Sequence, residues 1–217
     1  MRFHDRAHAG RVLGGRLRSV HARTPNLLVL GLPRGGVPVA FEVARELDTP
    51  LDVILVRKLG VPGHEELAMG AIASGGVRVL NDTVVAELQI GEEVIARAAA
   101  VEGAELERRE RAYRGDRGPV EVAGQTVILV DDGLATGSTM KAAALAVRAQ
   151  EPERLVVAVP VAAEQTCDEF RAEVDEIFCL LTPEPFHAVG LWYEDFTPTS
   201  DDEVRDLLAR PAATPGR

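Results

Sequence analysis

Short aliphatic runs alternate along this chain with stretches whose apolar residues have helical spacing. Runs at 27–32, 52–56, 127–130, 155–159 and 177–180 predict strands, because such runs are typical of strands buried on both faces of a parallel sheet. Shorter runs at 77–80 and 120–122 predict further strands. Helices are predicted at 6–21, 39–47, 92–113 and 163–172, and another follows residue 139. This alternation predicts an α/β fold with a twisted, mainly parallel central sheet flanked by helices.

Two acids and a hydroxyl-rich turn follow the run at 127–130. The acids, Asp131 and Asp132, could accept hydrogen bonds from a sugar diol or hold a hydrated metal ion. The backbone amides of the turn converge at the start of a predicted helix, where unpaired donors and the helix dipole favour a phosphate. The turn consists of Ala135, Thr136, Gly137, Ser138 and Thr139. A phosphate site beside a diol site describes a ribose 5-phosphate.

Two other segments offer groups for a second anion. The run at 27–32 leads into Pro33, Arg34, Gly35 and Gly36, where paired glycines expose backbone amides and the guanidinium adds a charged fork. The run at 52–56 ends in Arg57 and Lys58. Lysine is rare in this chain, which makes Lys58 at a strand end unusual. Read alone, the first segment is also compatible with a tight turn that has an exposed arginine, and the second with a solvated strand end.

These segments together resemble the type I phosphoribosyltransferases, which use 5-phosphoribosyl-1-pyrophosphate (PRPP). The resemblance implies that Asp131 and Asp132 hold the ribose hydroxyls and Mg²⁺, and that 135–139 cradles the 5-phosphate. It also implies that 33–36 binds pyrophosphate, in a loop that often has a non-proline cis peptide in the family. Arg57 and Lys58 would hold the departing pyrophosphate.

The interval 59–70 corresponds by this resemblance to a mobile loop that closes over the substrates. Its glycines and prolines predict no long regular element before residue 65. His64, Glu65 and Glu66 then become candidate electrostatic or acid–base groups, and His64 and Glu66 are the candidates for catalysis. A solvated loop histidine is the simpler alternative for His64.

Aromatic residues cluster after the last predicted strand. Phe186, Trp192, Tyr193 and Phe196 all fall within 182–197. By resemblance to purine phosphoribosyltransferases, the first three would bind the base, and Glu194 or Asp195 would face the base or the metal. A small hood at about 182–200 would cover the site. The alternative is a minor core that fixes the C-terminal arm.

One position in the main motif bears on the acceptor. The 6-oxopurine enzymes have an aspartate where this chain has Ala135, which makes hypoxanthine or guanine a less favoured acceptor. The motif is closer to that of adenine enzymes. The segments at 33–37 and 57–62 also resemble a group of predicted phosphoribosyltransferases whose acceptor is undefined.

Composition limits the other classes of function. The chain has 217 residues and a net charge of −10, which argues against coating nucleic acid or binding an anionic membrane. No apolar stretch is long enough to span a bilayer, so we expect a cytoplasmic protein. Cys167 and Cys179 are expected to be buried thiols. We predict one domain at 1–210 and a disordered tail at 211–217.

The resemblance implies an enzyme of nucleotide salvage, with Mg²⁺ as cofactor. It would transfer ribose 5-phosphate from PRPP to a nitrogenous base and release pyrophosphate. Its partners would be PRPP and a small-molecule base, without a membrane or direct nucleic-acid partner, and a homodimer is compatible. One alternative is a PRPP- or nucleotide-sensing regulator without transferase activity. Another is a related reaction with a non-base acceptor.

Overall fold

Two β-sheets organise the protein. The structure, a computed structural model, describes residues 2–115, 117–118 and 120–211, and it describes residues 65 and 66 through their backbone only. Five strands form a parallel sheet in the order β2-β1-β6-β7-β8, and three form an antiparallel sheet in the order β3-β4-β5. The strands are β1 (Leu27–Gly31), β2 (Leu51–Val53), β3 (Val56–Val61), β4 (His64–Ala73), β5 (Val77–Leu80), β6 (Thr126–Val130), β7 (Arg154–Val161) and β8 (Glu176–Leu181).

Helices cover both faces of the parallel sheet. On β6, Val127 and Leu129 share a buried cluster with residues of the helices that follow β6 and β7, while Ile128 and Val130 share one with the first two helices. Successive strand residues point to opposite faces, so burial on both sides explains the unbroken aliphatic run. The helices are α1 (Arg6–His21), α2 (Gly36–Leu47), α3 (Asp82–Glu87), α4 (Glu92–Arg114), α5 (Ser138–Arg148), α6 (Glu164–Phe170) and α7 (Asp201–Ala209). The predicted fold class is confirmed.

The strand order reverses between β1 and β6. β1 leads outward to β2, whereas β6 leads in the opposite direction to β7 and β8. Ligands of open α/β sheets bind at such a reversal, outside the carboxyl ends of the strands. The amide of Leu32 donates a hydrogen bond to the carbonyl of Val130 at 2.9 Å, so the loops after β1 and β6 start side by side.

The interval expected to be an irregular loop is a β-hairpin. β3 and β4 pair antiparallel, and Val61 and His64 flank the turn of Pro62 and Gly63. Gly63 has φ of +79°, which suits glycine at the third position of a tight turn. Glycine and proline at these positions therefore make the turn instead of preventing regular structure. The prediction of no long regular element before residue 65 is wrong.

Two strand predictions also need correction. The run at 52–56 is divided between the two sheets, because the chain leaves the parallel sheet after Val53. At the edge of the second sheet, the Leu55 amide donates to the Ser74 hydroxyl and the Ser74 amide donates to the Leu55 carbonyl, both at 3.0 Å. Residues 120–122 form no strand. Val122 is buried in the core, so its apolar character reflects packing instead of sheet formation.

Cys167 and Cys179 form a disulfide, with Cα atoms 6.7 Å apart. α6 contacts β8, which brings together two cysteines separated by 12 positions. The expectation of two buried thiols is wrong. Residues 212–217, most of the predicted tail, lie outside the described residues. Among the helices described, none is both long and apolar enough to cross a membrane.

Candidate active site

Asp131 and Asp132 lie at the carboxyl end of β6, in the crevice where the strand order reverses. The Asp132 amide donates a hydrogen bond to Oδ1 of Asp131 at 2.8 Å. Nε of Arg6 donates to Oδ2 of Asp132 at 2.8 Å, and the Tyr193 hydroxyl donates to the Asp132 carbonyl at 2.6 Å. One oxygen of each carboxylate is thus bound within the protein. No described residue donates a hydrogen bond to Oδ2 of Asp131 or Oδ1 of Asp132.

The surroundings of these acids favour a neutralising ligand. Burial raises the pKa of Asp131 well above its ordinary value, and the adjacent Asp132 carboxylate raises it further. Burial also raises the pKa of Asp132, although the Arg6 guanidinium opposes that effect. Two close, partly desolvated carboxylates repel each other when both are charged. Hydroxyl donors or a cation would stabilise the charged pair.

The hydroxyl-rich turn leads into α5, whose first residue is Ser138. Gly137 has φ of +68°, and a Cβ there would lie 2.7 Å from Cε2 of Phe170, so the turn requires glycine. The Thr166 hydroxyl on α6 donates to the Ala135 carbonyl at 2.6 Å and anchors the other end of the turn. The remaining predicted turn residues, Thr136, Ser138 and Thr139, are exposed. Their position at the helix N-terminus suits a phosphate.

The predicted pyrophosphate loop packs directly against the acids. The peptide bond between Pro33 and Arg34 is cis. A Cβ on Gly35 would clash with Oδ2 of Asp132. A Cβ on Gly36 would lie 2.9 Å from Cα of Asp131. The two loops therefore form one continuous surface, and both glycines are needed for their close approach.

The exposed Arg34 side chain extends toward the start of α7. Its Nη1 lies 3.8 Å from Oδ1 of Asp201, which also accepts a 2.6 Å hydrogen bond from the Tyr113 hydroxyl at the end of α4. Burial and the Asp201 carboxylate raise the pKa of Tyr113 to about 12. Arg34 is thereby connected to two helices outside the central sheet.

The raised pKa of Tyr113 predicts that the folded protein loses stability at alkaline pH. The phenol ionises near pH 10 in the unfolded chain but near pH 12 in the folded one, so its contribution is complete below pH 10 and disappears as the pH rises toward 12. Urea unfolding of Tyr113→Phe should give a free energy of unfolding that falls less steeply above pH 10 than that of the unmodified protein. Tyr193, whose pKa burial also raises, retains its own contribution in both proteins. Parallel curves for the two proteins would contradict this.

Arg57 and Lys58 approach the site from the second sheet. Nε of Arg57 donates to Oε2 of Glu102 on α4 at 2.6 Å. Nζ of Lys58 lies 3.4 Å from the Ser138 hydroxyl in the hydroxyl-rich turn at 135–139, the predicted phosphate turn. Both basic residues and Thr139 line a cleft of about 800 Å³ between β3 and α4. The structure therefore places the two cations beside the phosphate turn.

The acid–base candidates lie in the hairpin. His64 is exposed at its turn, and it makes no hydrogen bond or ion pair with another candidate among the side chains that the structure describes. The side chains of Glu65 and Glu66 lie outside the described part of the chain. His64 and Glu66 remain predictions for catalysis, and Glu65 remains a candidate electrostatic or acid–base group.

The segment at 186–193 forms a cover over one side of the acid loop, which is the loop at 131–133 after β6. Val189 lies directly against Gly133, because a Cβ added to Gly133 would lie 2.6 Å from Cγ1 of Val189. Phe186 and Trp192 are half-buried against an apolar cluster. Tyr193 is only 4% exposed, so in this conformation it supports the acid loop and offers no face for stacking. Phe186 and Trp192 remain the candidates for contact with a base.

Sequence patterns gave no indication of several supporting residues. Arg6 contacts Asp132 across 126 positions of sequence, and Glu102 pairs with Arg57 across 45. Thr166 anchors Ala135 across 31 positions. Each is an ordinary polar residue of a helix, and only the folded arrangement brings it to the site.

Comparisons with known proteins identify a family for this chain. Residues 6–194 match the family model described as phosphoribosyl transferase domain. Two proteins from strains of Mycobacterium tuberculosis, each named "Putative phosphoribosyl transferase", are 47% identical over 208 residues, or 96% of this chain. This chain spans 46% of the length of those relatives.

A solved structure resembles nearly the whole chain. The crystal structure of TT1426 from Thermus thermophilus is 42% identical, with a TM-score of 0.86, and the match covers 96% of this chain and 98% of that one. The family match, these relatives and the sheet order agree with one another. The chain belongs to the phosphoribosyl transferase domain family.

Proposed function

We propose that the protein transfers ribose 5-phosphate from PRPP to a nitrogenous base and releases pyrophosphate. The observation that carries this proposal is the direct packing of Gly35 against Asp132, beside the phosphate turn. It joins three surfaces suited to a pyrophosphate, a diol and a phosphate. These are the three polar parts of PRPP.

The proposed chemistry is mainly electrostatic. Pyrophosphate gains negative charge as its bond to C1 of the ribose breaks, and the ribose ring gains positive charge. Arg34, Arg57 and Lys58 would stabilise the departing anion, while Asp131 and Asp132 would accept hydrogen bonds from the ribose hydroxyls. The ring nitrogen of the base would attack from the opposite face and invert the anomeric centre.

The acids also fit a magnesium ion. Mg²⁺ commonly binds one or two carboxylates and completes its coordination with water and substrate phosphates. Asp131 and Asp132 provide two carboxylates, and the described residues contain no larger cluster of metal-binding side chains. Bound Mg²⁺ would neutralise charge on pyrophosphate.

The acceptor is proposed only as a nitrogenous base. Phe186 and Trp192 border the acid loop and would supply apolar contact to a heterocycle. Ala135 favours adenine over a 6-oxopurine, following the resemblance of this motif. We place the reaction in cytoplasmic nucleotide salvage, with a homodimer as the proposed assembly.

Pyrophosphate release from PRPP and Mg²⁺ tests this function. Adenine, guanine, hypoxanthine, xanthine, uracil and orotate should be compared with a reaction lacking acceptor. We expect release with one base, and adenine is the first candidate. Silence across the panel, with PRPP bound in a parallel titration, would contradict base transfer and favour a ligand-sensing role.

Arg57→Ala should weaken the binding of pyrophosphate far more than the binding of ribose 5-phosphate. Arg57 lines a small cavity together with Pro33 of the predicted pyrophosphate loop, so we expect pyrophosphate affinity to fall by about tenfold or more, as for a lost hydrogen bond to a charged group. Affinity for ribose 5-phosphate should change little. Titration calorimetry with each ligand measures both, and Arg108→Ala, an exposed α4 arginine paired with Glu105, is the matched control. Equal losses for both ligands would refute this role for Arg57.

A further inference from the structure

A buried arginine from the first helix fixes one of the two acids. The Arg6 and Asp132 side chains are only 11% and 16% exposed, and Nε of Arg6 lies 2.8 Å from Oδ2 of Asp132. Charged side chains are rarely this buried unless they are paired, and removing one partner leaves the other charge uncompensated. The ion pair is therefore a fixed part of the crevice and differs from the exposed pairs elsewhere on α1.

Arg6 is itself held at two further points. Its Nη1 donates to the Thr197 carbonyl at 2.8 Å, and its guanidinium carbon lies 3.9 Å from the centre of the Phe196 ring. A planar guanidinium can stack on an aromatic ring while its edge donates hydrogen bonds. These contacts leave Arg6 little freedom to follow any movement of Asp132, so Arg6 holds the carboxylate in place.

The segment before α1 continues this connection. The Phe3 amide donates to the Trp192 carbonyl, and the Glu194 amide donates to the Phe3 carbonyl, both at 2.8 Å. Phe3 is fully buried and packs beside Tyr193, whose hydroxyl holds the Asp132 carbonyl. Asp132 is thus held through both its backbone and its side chain by the N-terminal segment and the C-terminal cover.

The consequence concerns which carboxylate oxygens remain for a ligand. Oδ2 of Asp132 is enclosed between Arg6 and the backbone of Gly35, and Oδ1 of Asp131 accepts the neighbouring amide. Each acid therefore presents one remaining oxygen to the crevice. Two fixed acceptors on adjacent residues suit two neighbouring hydroxyl groups, each of which can donate one hydrogen bond.

We propose that Arg6 is a positioning residue that orients Asp132 so that the acid pair selects a vicinal diol on the sugar phosphate. This inference rests on the proposed function, because it assumes that the pair faces a ribose ring. It adds a specificity for the ribose 2-hydroxyl, and it assigns that specificity to a residue that does not itself touch the ligand.

Selectivity between two sugar phosphates tests this role. Ribose 5-phosphate, 2-deoxyribose 5-phosphate and inorganic phosphate should be titrated against the unmodified protein and Arg6→Ala. We expect the unmodified protein to prefer ribose 5-phosphate by about tenfold or more, as for one hydrogen bond to a charged group. Arg6→Ala should lose most of this preference and retain its affinity for inorganic phosphate. Arg6→Lys should recover part of the preference, because it restores the charge without the planar guanidinium that contacts both Asp132 and Thr197.

Arg11→Ala is the matched control, since Arg11 lies on the same helix and pairs with Glu42 at 3.6 Å, away from the acids. It should leave all three affinities unchanged. Unchanged sugar selectivity in Arg6→Ala would overturn the proposal, and so would tighter binding of ribose 5-phosphate. A parallel loss of phosphate and sugar-phosphate binding would also overturn it, by showing a general structural role.

The same titrations separate this inference from the proposed function. If the unmodified protein binds neither sugar phosphate, the ribose site and the role of Arg6 both fail. If it prefers ribose 5-phosphate and Arg6→Ala loses that preference, the role of Arg6 holds even where no base supports pyrophosphate release. If it prefers ribose 5-phosphate and Arg6→Ala keeps that preference, the role of Arg6 alone fails.

Discussion

Replacing Asp131 and Asp132 together with asparagine should reduce affinity for PRPP by about 100-fold or more, given the usual strength of hydrogen bonds to charged groups. The two oxygens that face the crevice would lose their negative charge and become weaker acceptors. Calorimetric titration with PRPP at constant Mg²⁺ measures the loss. The fold should persist, because asparagine has nearly the same shape and its side-chain oxygen at position 132 can still accept the hydrogen bond from Arg6.

Inorganic phosphate provides an internal control for this double variant. The phosphate turn at 135–139 is unchanged by the substitutions, and its Thr166 anchor is retained. Phosphate affinity should therefore remain close to that of the unmodified protein. Undiminished PRPP affinity in a folded double variant would remove the acids from the proposed binding site.

Replacing Gly35 with alanine should also disrupt ligand binding strongly, although no charged group is changed. Gly35 has φ of −61° and ψ of −32°, a conformation that alanine adopts readily. The added methyl would meet Oδ2 of Asp132 and approach Nε of Arg6 at 3.3 Å. Because these are side-chain atoms, they can move, and we expect a folded protein with a displaced Asp132. PRPP affinity should fall by about tenfold or more, as for one lost hydrogen bond to a charged group.

Gly15→Ala is the matched control for this substitution. Gly15 lies within α1, and a Cβ there meets no atom within 4 Å. Alanine should stabilise the helix by about 1 kcal/mol and leave PRPP affinity unchanged. Thermal unfolding and PRPP titration of both variants distinguish a local displacement from a general effect of the added methyl. Normal PRPP affinity in Gly35→Ala would show that the contact between the loops has no role in binding.

The parallel sheet could be predicted because its signals are local. β6 is a run of aliphatic residues, and burial on both of its faces requires that composition. α1 begins and ends at the predicted residues, with Asp5 accepting a hydrogen bond from the His8 amide at the N-terminus. The acid pair and phosphate turn were recognisable for the same reason, since they occupy one continuous segment.

The strand at 77–80 was predicted, but the sheet to which it belongs was missed, because glycines in its other strands have roles that depend on distant contacts. Gly70 lies in the middle of β4, where a Cβ would come within 2.5 Å of the Val79 carbonyl on β5. Its neighbours in sequence suggest a break, whereas its neighbour in space requires close backbone approach. Arg6 and Tyr193 illustrate the same limit at the site, because both reach Asp132 only after the chain has folded.

Direct binding of PRPP tests the central claim, which is that the acids, the phosphate turn and the pyrophosphate loop form one ligand site. Calorimetry at constant Mg²⁺ should compare PRPP with ribose 5-phosphate and with pyrophosphate. We predict that PRPP binds more tightly than either fragment, and that each fragment competes with it, because the three surfaces are continuous. Failure to bind PRPP, or binding of both fragments without competition against PRPP, would contradict the account.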